Sequence, residues 1–451
     1  MTANALSPRR ICLDALNHFE RDQSYSNLAL DAAIERYDLS DLDRSFLTKL
    51  FLGVIERKIT LDYYYSFVGS VELERLDTAV KNAIRMALYQ IFYMDRVPDS
   101  AACDESVELI RTIFAKNAKT HGFVNAVLRN IIRRKAEITA SVDLLPDFQK
   151  VSVKYSVGED VLSVLTDSYG MDNAVKIAAS FEIARPLTLM VNTLKISRDA
   201  FIEYLRKDGI EAQSCRLSPI GVTITKSLPI RAIPGYEEGY FIVQDEASQI
   251  CVAESGAKAS DLVVDCCAAP GGKSLYTAVQ MGNLGKIVSF DLKRSKLNLL
   301  DKSADRLGIG NIETIARDSS QLPLESLRAS ADVVLCDVPC SGIGVCAKKP
   351  EIKYKKSADF TALPKLQLKI LSSASGYVKQ GGILMYSTCT LNHRENEEVV
   401  ADFLKSNKEF HREYFSILEY NADNLPGQTT FFPFERNIDG FFLAKLRRNS
   451  V

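Results

Sequence analysis

Two of the ten cysteines in this chain stand apart by what precedes them. Cys340 follows the apolar run ADVVLCD and sits in the turn Val338-Pro339-Cys340-Ser341-Gly342. Cys389 follows the run 382–387 and sits in Ser387-Thr388-Cys389-Thr390. A buried cysteine is ordinarily an inert small hydrophobe, and Cys12, Cys103, Cys215, Cys251, Cys336 and Cys346 are read that way. A thiol in a turn at a strand end is placed for chemistry. Thiolates add to carbon electrophiles and so divide one hard step into two easier ones. Carbon 6 of cytosine is such an electrophile: addition there makes carbon 5 enamine-like and able to attack a sulfonium methyl. The proton on carbon 5 must then leave before the thiolate is expelled, a task for a second thiolate. Cys340 and Cys389 are the candidate pair. Asp337, which ends the run before Cys340, is a candidate to hydrogen-bond the ring at N3 and its amino group.

A methyl donor needs a cradle. The run 262–266 enters Cys267-Ala268-Ala269-Pro270-Gly271-Gly272-Lys273-Ser274 and then a helical pattern. Small residues let the backbone approach a ligand, and a helix N-terminus offers free N–H groups. The Gly-Gly-Lys-Ser ending is that of a triphosphate loop, but such a loop needs glycine where Cys267 stands. The dinucleotide pattern G-x-G-x-x-G is also absent. Asp291 ends the next apolar run, 20 residues after Gly271, where a carboxylate typically accepts ribose hydroxyls. Asp318 follows the third run and is expected at an adenine edge. Cys267, Ala268, Ala269, Pro270, Gly271, Gly272 and Lys273, with Asp291, Asp318 and Asp337, form the candidate cofactor site. S-adenosylmethionine fits it without a pyrophosphate fingerprint.

Shortly after Cys340, Lys348, Lys349, Lys353, Lys355 and Lys356 accompany Tyr354 within KKPEIKYKK. Lysines interleaved with an aromatic suit phosphate contact with base stacking. Arg133 and Arg134, in an earlier basic run, are further candidates for phosphate contact. A base undergoing such chemistry must be unstacked, so a loop or other single-stranded RNA element is the expected substrate.

The elements that must position these groups follow from periodicity. From about 260 onward, strand patterns at 262–266, 286–291, 311–316, 332–337, 382–387 and 440–445 alternate with helical ones. This predicts a parallel, doubly wound sheet whose ligands lie at the carboxyl ends of the strands. Residues 1–140 instead show apolar stripes at helical spacing: Cys12, Ala15, Leu16, Phe19; Leu47, Leu50, Phe51, Val54; Ile84, Ala87, Leu88, Ile91. They predict a small helical bundle. Residues 145–250, punctuated by Pro146, Pro186, Pro219, Pro229 and Pro234, predict a small α/β module with strands near 187–194 and 222–224 and a helix over 198–207. The third domain is expected over 251–451, which makes the chain α+β and multidomain.

Composition narrows the class. Hydrophobic residues are 46% and charged residues 25% of the chain, as in folded globular proteins. The net charge of −1 leaves room for a local basic patch. The start lacks an apolar signal core and no stretch suits a membrane span, so a cytoplasmic, reduced protein is expected. No C-x-x-C pair occurs and the four histidines are scattered, so no metal is expected. A monomer is expected.

The segments DCCAAPGGKS, DVPCSGIGV, KKPEIKY, STCTLNHRENEEVV and DGFFLAKLRR resemble the RNA cytosine-C5 methyltransferases. The front segments SPRRICLDALNHF and HGFVNAVLRNIIRRK resemble the RNA-binding NusB domain, and YFIVQDEASQI resembles the family's lead into its catalytic domain. The combination resembles the family's bacterial branch acting on 16S ribosomal RNA. The resemblance implies a NusB-like front, an RRM-like linker module and a Rossmann-like S-adenosylmethionine-dependent domain. It implies Cys389 as nucleophile, Cys340 as the cysteine that releases product, and Asp337 facing both cofactor and cytosine. Val338 departs from the family's usual alanine, Ala347-Lys348-Lys349 from a run richer in arginine, and Tyr155-Ser156-Val157-Gly158 from a segment with proline and tryptophan. One alternative is a NusB-like RNA-binding or antitermination factor with an inactive catalytic half; intact Cys340, Cys389 and glycine turn weigh against it. An N6-adenine enzyme would carry an Asn/Asp-Pro-Pro-aromatic turn where Asp337-Val338-Pro339-Cys340 stands.

Overall fold

The computed structural model describes residues 6–22, 25–225, 228–416 and 427–450. The chain divides into two compact units, Met1–Glu182 with Lys348–Lys356, and Ile183–Ala347 with Ser357–Val451. Among the described residues no helix is long and apolar enough to cross a membrane.

The first unit is helical. The three apolar stripes lie on the helices Pro8–Asp22, Asp41–Glu56 and Thr78–Tyr93, and Cys12, Leu47, Leu50, Phe51, Ile84 and Leu88 bury in one core. Side-chain caps fix two of the starts: Ser40 accepts from the Asp43 N–H and Asp77 from the Ala79 N–H, satisfying amides that lack intrahelical partners. The helices Asp147–Tyr155 and Glu159–Ser180 cluster with this unit, although they fall within the span 145–250 expected for the α/β module. The reason is local. Thr60 Oγ1 donates to the Val153 carbonyl at 2.6 Å and the Ile59 N–H to Ser156 Oγ at 2.9 Å, tying the added helices to Lys58–Ser66.

The lysine-rich segment Lys348–Lys356 also packs into this unit. Glu351 accepts from Ser26 Oγ at 2.7 Å at the start of the helix Ser26–Arg36. Lys353, expected at an RNA phosphate, is 2% exposed. Its ammonium donates to the Glu56 carbonyl at 2.7 Å and the Tyr155 carbonyl at 3.0 Å. These are carbonyls near helix C-termini, where a cation is favoured, and the expectation for Lys353 is corrected on that ground. Lys353→Met is expected to cost about 1.5–3 kcal/mol of stability in chemical denaturation. It is expected to leave unchanged the slope of log RNA affinity against log salt, which a lost phosphate contact would shift by about 0.7. Arg134 is likewise engaged: it pairs with Glu137 at 2.8 Å and donates to the Phe67 carbonyl at 3.1 Å. Arg133 and Lys349 are exposed, with Lys349 5.2 Å from the Tyr25 ring centroid. Lys348 is exposed and Lys355 half-buried.

The second unit contains two sheets. In the first, β1 (Leu187–Val191), β2 (Ala212–Ser214), β3 (Gly221–Ile224) and β4 (Phe241–Val243) pair in the order β2-β3-β1-β4. The helix Arg198–Lys207 packs Phe201 and Leu205 against Leu189, Val191, Val222 and Phe241. The second sheet is built from β5 (Leu262–Asp265), β6 (Lys286–Asp291), β7 (Ile312–Ala316), β8 (Ala331–Asp337), β9 (Val378–Thr388), β10 (Phe410–Arg412), β11 (Gln428–Phe431) and β12 (Phe441–Arg448). Its order is β10-β12-β9-β8-β5-β6-β7, with β11 also on β12.

Strands β5 to β9 are parallel. β12 is antiparallel to β9, which departs from the expected all-parallel sheet. Successive side chains alternate between faces: Val263 and Ile287 enter one core with Leu275, Leu297 and Leu300, and Val264 and Val288 enter the other with Ile370, Leu371 and Phe403. The winding starts at β5, runs outward to β7, then returns to β8 on β5's other side. That reversal opens a crevice at the carboxyl ends of β5 and β8.

Candidate active site

The glycine turn leaves β5 at this crevice. The Ala268 N–H donates to the Phe290 carbonyl at 2.8 Å, which anchors the turn to β6. Gly271, with φ of +117°, precedes the helix Gly272–Gln280. A Cβ at Gly271 would lie 2.5 Å from Leu300 Cδ1, so both the conformation and the close approach call for glycine. Cys267, Ala269 and Asp337 line two adjoining clefts. One, of about 500 Å³, also meets Asp291, Asp318, Cys340 and Cys389. The other, of about 180 Å³, also meets Ala268, Pro270, Gly272 and Lys273. The sequence-predicted cofactor residues are therefore brought to one edge of the sheet.

The carboxylates at this edge differ in their surroundings. Asp291 accepts from the Lys293 N–H at 3.0 Å, which fixes it at the end of β6. The Ser320 N–H and the Gln321 amide hold Asp318 below the usual carboxylate range. Asp337 accepts from Lys273 Nζ at 2.7 Å and from Ser387 Oγ at 2.8 Å. Burial, the largest influence, would push the Lys273 ammonium down, but Asp337 together with Cys251 and Asp265 holds the lysine above its ordinary value. Lys273 also donates to Ser248 Oγ at 2.9 Å and lies 5.2 Å from the Phe441 ring centroid.

The register of β8 on β9 explains how the two thiols meet. Asp337 stands opposite Ser387, and each strand then turns into its cysteine. Cys340 Sγ and Cys389 Sγ lie 3.2 Å apart, well beyond a disulfide bond of about 2.05 Å. Seven of the ten cysteines are buried; Cys267, Cys340 and Cys389 are half-exposed. The hydrogen bond with Cys389, then burial, raise the Cys340 thiol well above its ordinary value. The pair thus favours one shared proton.

A backbone clip holds the Cys389 turn. The Gly344 N–H donates to the Cys389 carbonyl at 3.0 Å, and the Gly440 N–H donates to the Gly344 carbonyl at 2.9 Å. A Cβ at Gly344 would lie 1.9 Å from the Gly440 carbonyl oxygen, too close for any side chain. Gly344→Ala is expected to lower stability by about 1–3 kcal/mol, read as a shifted denaturation midpoint, and to cut methyl transfer by moving Cys389.

Sequence reasoning missed several polar residues here. Ser248 reaches Lys273 from the helix Glu246–Ser255. Asn396 accepts from Thr388 Oγ1 at 2.6 Å and donates to the Thr390 carbonyl at 3.0 Å. Glu395 and Gln367 are wholly buried beside the Cys340 turn. Ser248, Glu395 and Asn396 lie in QDEAS and NHREN, within the segments quoted above, and Gln367 lies outside them; polar side chains beside a turn read as solvated until the tertiary contacts are known.

Comparison with known proteins finds three successive family models along the chain. Residues 256–447 match the model of the 16S rRNA methyltransferase RsmB/F family, residues 6–133 that of the NusB family, and residues 161–231 that of the RsmF/B-like ferredoxin-like domain. The chain is 34% identical to the probable ribosomal RNA small subunit methyltransferase B of Bacillus subtilis, over 98% of this chain and 99% of that one. It is 30% identical to the protein of the same description from Synechocystis, over 98% of this chain and 100% of that one. A solved structure, a methyltransferase homolog protein from Pyrococcus horikoshii, superposes with a TM-score of 0.59 at 27% identity, over 67% of this chain and 99% of that one.

Proposed function

This chain belongs to the ribosomal RNA small subunit methyltransferase B family, and from that premise we propose that it moves a methyl group from S-adenosylmethionine to carbon 5 of a cytosine in 16S ribosomal RNA, through a covalent bond from Cys389 to carbon 6. The observation that carries this reading is the 3.2 Å approach of two thiols at the wall of one cleft. Methylation of a nitrogen or an oxygen needs no sulfur on the enzyme. Carbon 5 of cytosine does, because it becomes a nucleophile only after addition at carbon 6.

The residues present fit the cofactor. The crevice lies where an open α/β sheet binds ligands, the small residues Ala268, Ala269 and Gly272 line it, and Asp291 and Asp318 offer acceptors for the ribose and the adenine edge. S-adenosylmethionine, when bound there, supplies an electrophilic methyl on a sulfonium whose positive charge favours a nearby thiolate. Residues Cys267 to Gly272 would lie against it with their backbone. Lys273, engaged by Asp337, would act through that carboxylate.

The chain's own groups then divide the work. The Cys340 S–H donates to Cys389 and favours the Cys389 thiolate, which adds to carbon 6 of an unstacked cytosine. Asp337, fixed by Lys273 and Ser387, orients the ring at its N3 and amino edge. Once Cys389 is a thioether, the Cys340 proton loses its acceptor and passes to solvent. The Cys340 thiolate removes the proton from carbon 5 of the methylated ring. That electron pair restores the carbon 5–carbon 6 double bond and expels Cys389 as thiolate. One proton leaves per methyl group transferred, and the thiol–thiolate pair is restored.

Incubation of the protein with methyl-labelled S-adenosylmethionine and 16S ribosomal RNA, followed by digestion to nucleosides, tests this. Label is expected in 5-methylcytidine. Label in an N-methylated nucleoside, or in a 2′-O-methyl group, would overturn the reading.

A further inference from the structure

A buried carboxylate that takes no part in the steps above joins the two cysteine turns. Glu395 is fully buried. Its Oε2 accepts from the N–H of Ser341, the residue after Cys340, at 2.8 Å, and from Gln367 Nε2 at 2.9 Å. Its Oε1 accepts from Asn392 Nδ2 at 2.9 Å. Gln367, on the helix Leu363–Ser375, also donates to the carbonyl of Pro339 at 2.9 Å. Glu395 and Gln367 therefore grip the Cys340 turn on both sides of the sulfur, at Pro339 and at Ser341. A buried carboxylate is tolerated only where donors satisfy it, and three do so here.

The Cys389 turn has separate supports, in Asn396 and in the Gly344 N–H. The turns also touch each other, since Ser341 Oγ meets Thr390 Oγ1 at 2.6 Å, but Asn396 holds the Cys389 turn through bonds that do not involve Glu395 or Gln367. We infer that Glu395 is a positioning residue for product release, which fixes Cys340 where it can take the carbon 5 proton while leaving Cys389 able to add. The inference rests on the thiol roles proposed above. The Glu395 charge also adds to the Cys389 hydrogen bond and to burial in raising the Cys340 thiol.

Glu395→Gln tests this in the full-length protein, beside the parent and Cys340→Ala, with 16S ribosomal RNA and S-adenosylmethionine. The readouts are turnover, the denaturation-resistant protein–RNA species on a gel, affinity for sinefungin and the thermal midpoint. The expected result is turnover lowered about 10- to 100-fold, as for a reacting group misplaced by an ångström, with accumulated protein–RNA adduct and parental sinefungin affinity. Turnover near the parent without adduct would overturn the inference. So would lost turnover without adduct while Cys340→Ala does accumulate it, because Glu395 would then support addition or folding instead of release. If Glu395→Gln does not fold, Gln367→Met keeps the carboxylate and removes the grip at Pro339; it is expected to accumulate adduct, and its absence would overturn the inference. No adduct from Cys340→Ala would overturn the thiol roles themselves, and the inference with them.

Discussion

Cys389→Ala is expected to abolish methyl transfer, by about 10⁴-fold or more, the scale seen when a covalent nucleophile is removed. No covalent protein–RNA species should form with it, on natural RNA or on RNA carrying 5-fluorocytidine. The reasoning is direct. Without a sulfur to add at carbon 6, carbon 5 stays a poor nucleophile, and the remaining thiol, Cys340, stands in the turn that serves the carbon 5 proton. Affinity for sinefungin should change little, because the glycine turn, Asp291 and Asp318 stay in place. Turnover and adduct, measured in parallel with sinefungin titration, check the prediction.

Cys340→Ala is expected to give the opposite signature. Addition through Cys389 proceeds and the methyl group arrives, but the proton on carbon 5 has no base and the thioether cannot be expelled. Turnover should fall about 10²- to 10⁴-fold, the usual worth of a positioned acid–base group. A denaturation-resistant protein–RNA adduct should accumulate on natural RNA in the presence of S-adenosylmethionine. If Cys389→Ala gave the adduct and Cys340→Ala did not, the two roles would be reversed.

The two thiols are legible in the sequence because each follows an apolar strand pattern and falls in a short turn. Parallel pairing then makes those turns neighbours, and the register of Asp337 on Ser387 completes the approach. The glycine turn and Asp291 are legible for the same reason: a strand end, a run of small residues and a helix start form one local pattern. Glu395 is not legible. It stands in an acidic stretch before the helix Glu397–Ser406, where carboxylates are ordinarily solvated. Two of its three side-chain partners lie 28 and 54 residues away in the chain.

Lys353 fails for a related reason. Composition groups it with exposed lysines, but its acceptors are backbone carbonyls 297 and 198 residues distant, which no local pattern announces. Strands β10 and β11, of three and four residues on the outer edge of β12, are too short for alternation to show. The antiparallel course of β12 depends on which edge of β9 it joins, again a tertiary choice.

The covalent bond itself can be located. The adduct formed by Cys340→Ala with 16S ribosomal RNA and S-adenosylmethionine, digested with protease and nuclease, can be sequenced by tandem mass spectrometry. The predicted result is a methylated cytidine carried by the peptide that contains Cys389. A nucleotide carried by any other residue would contradict the account.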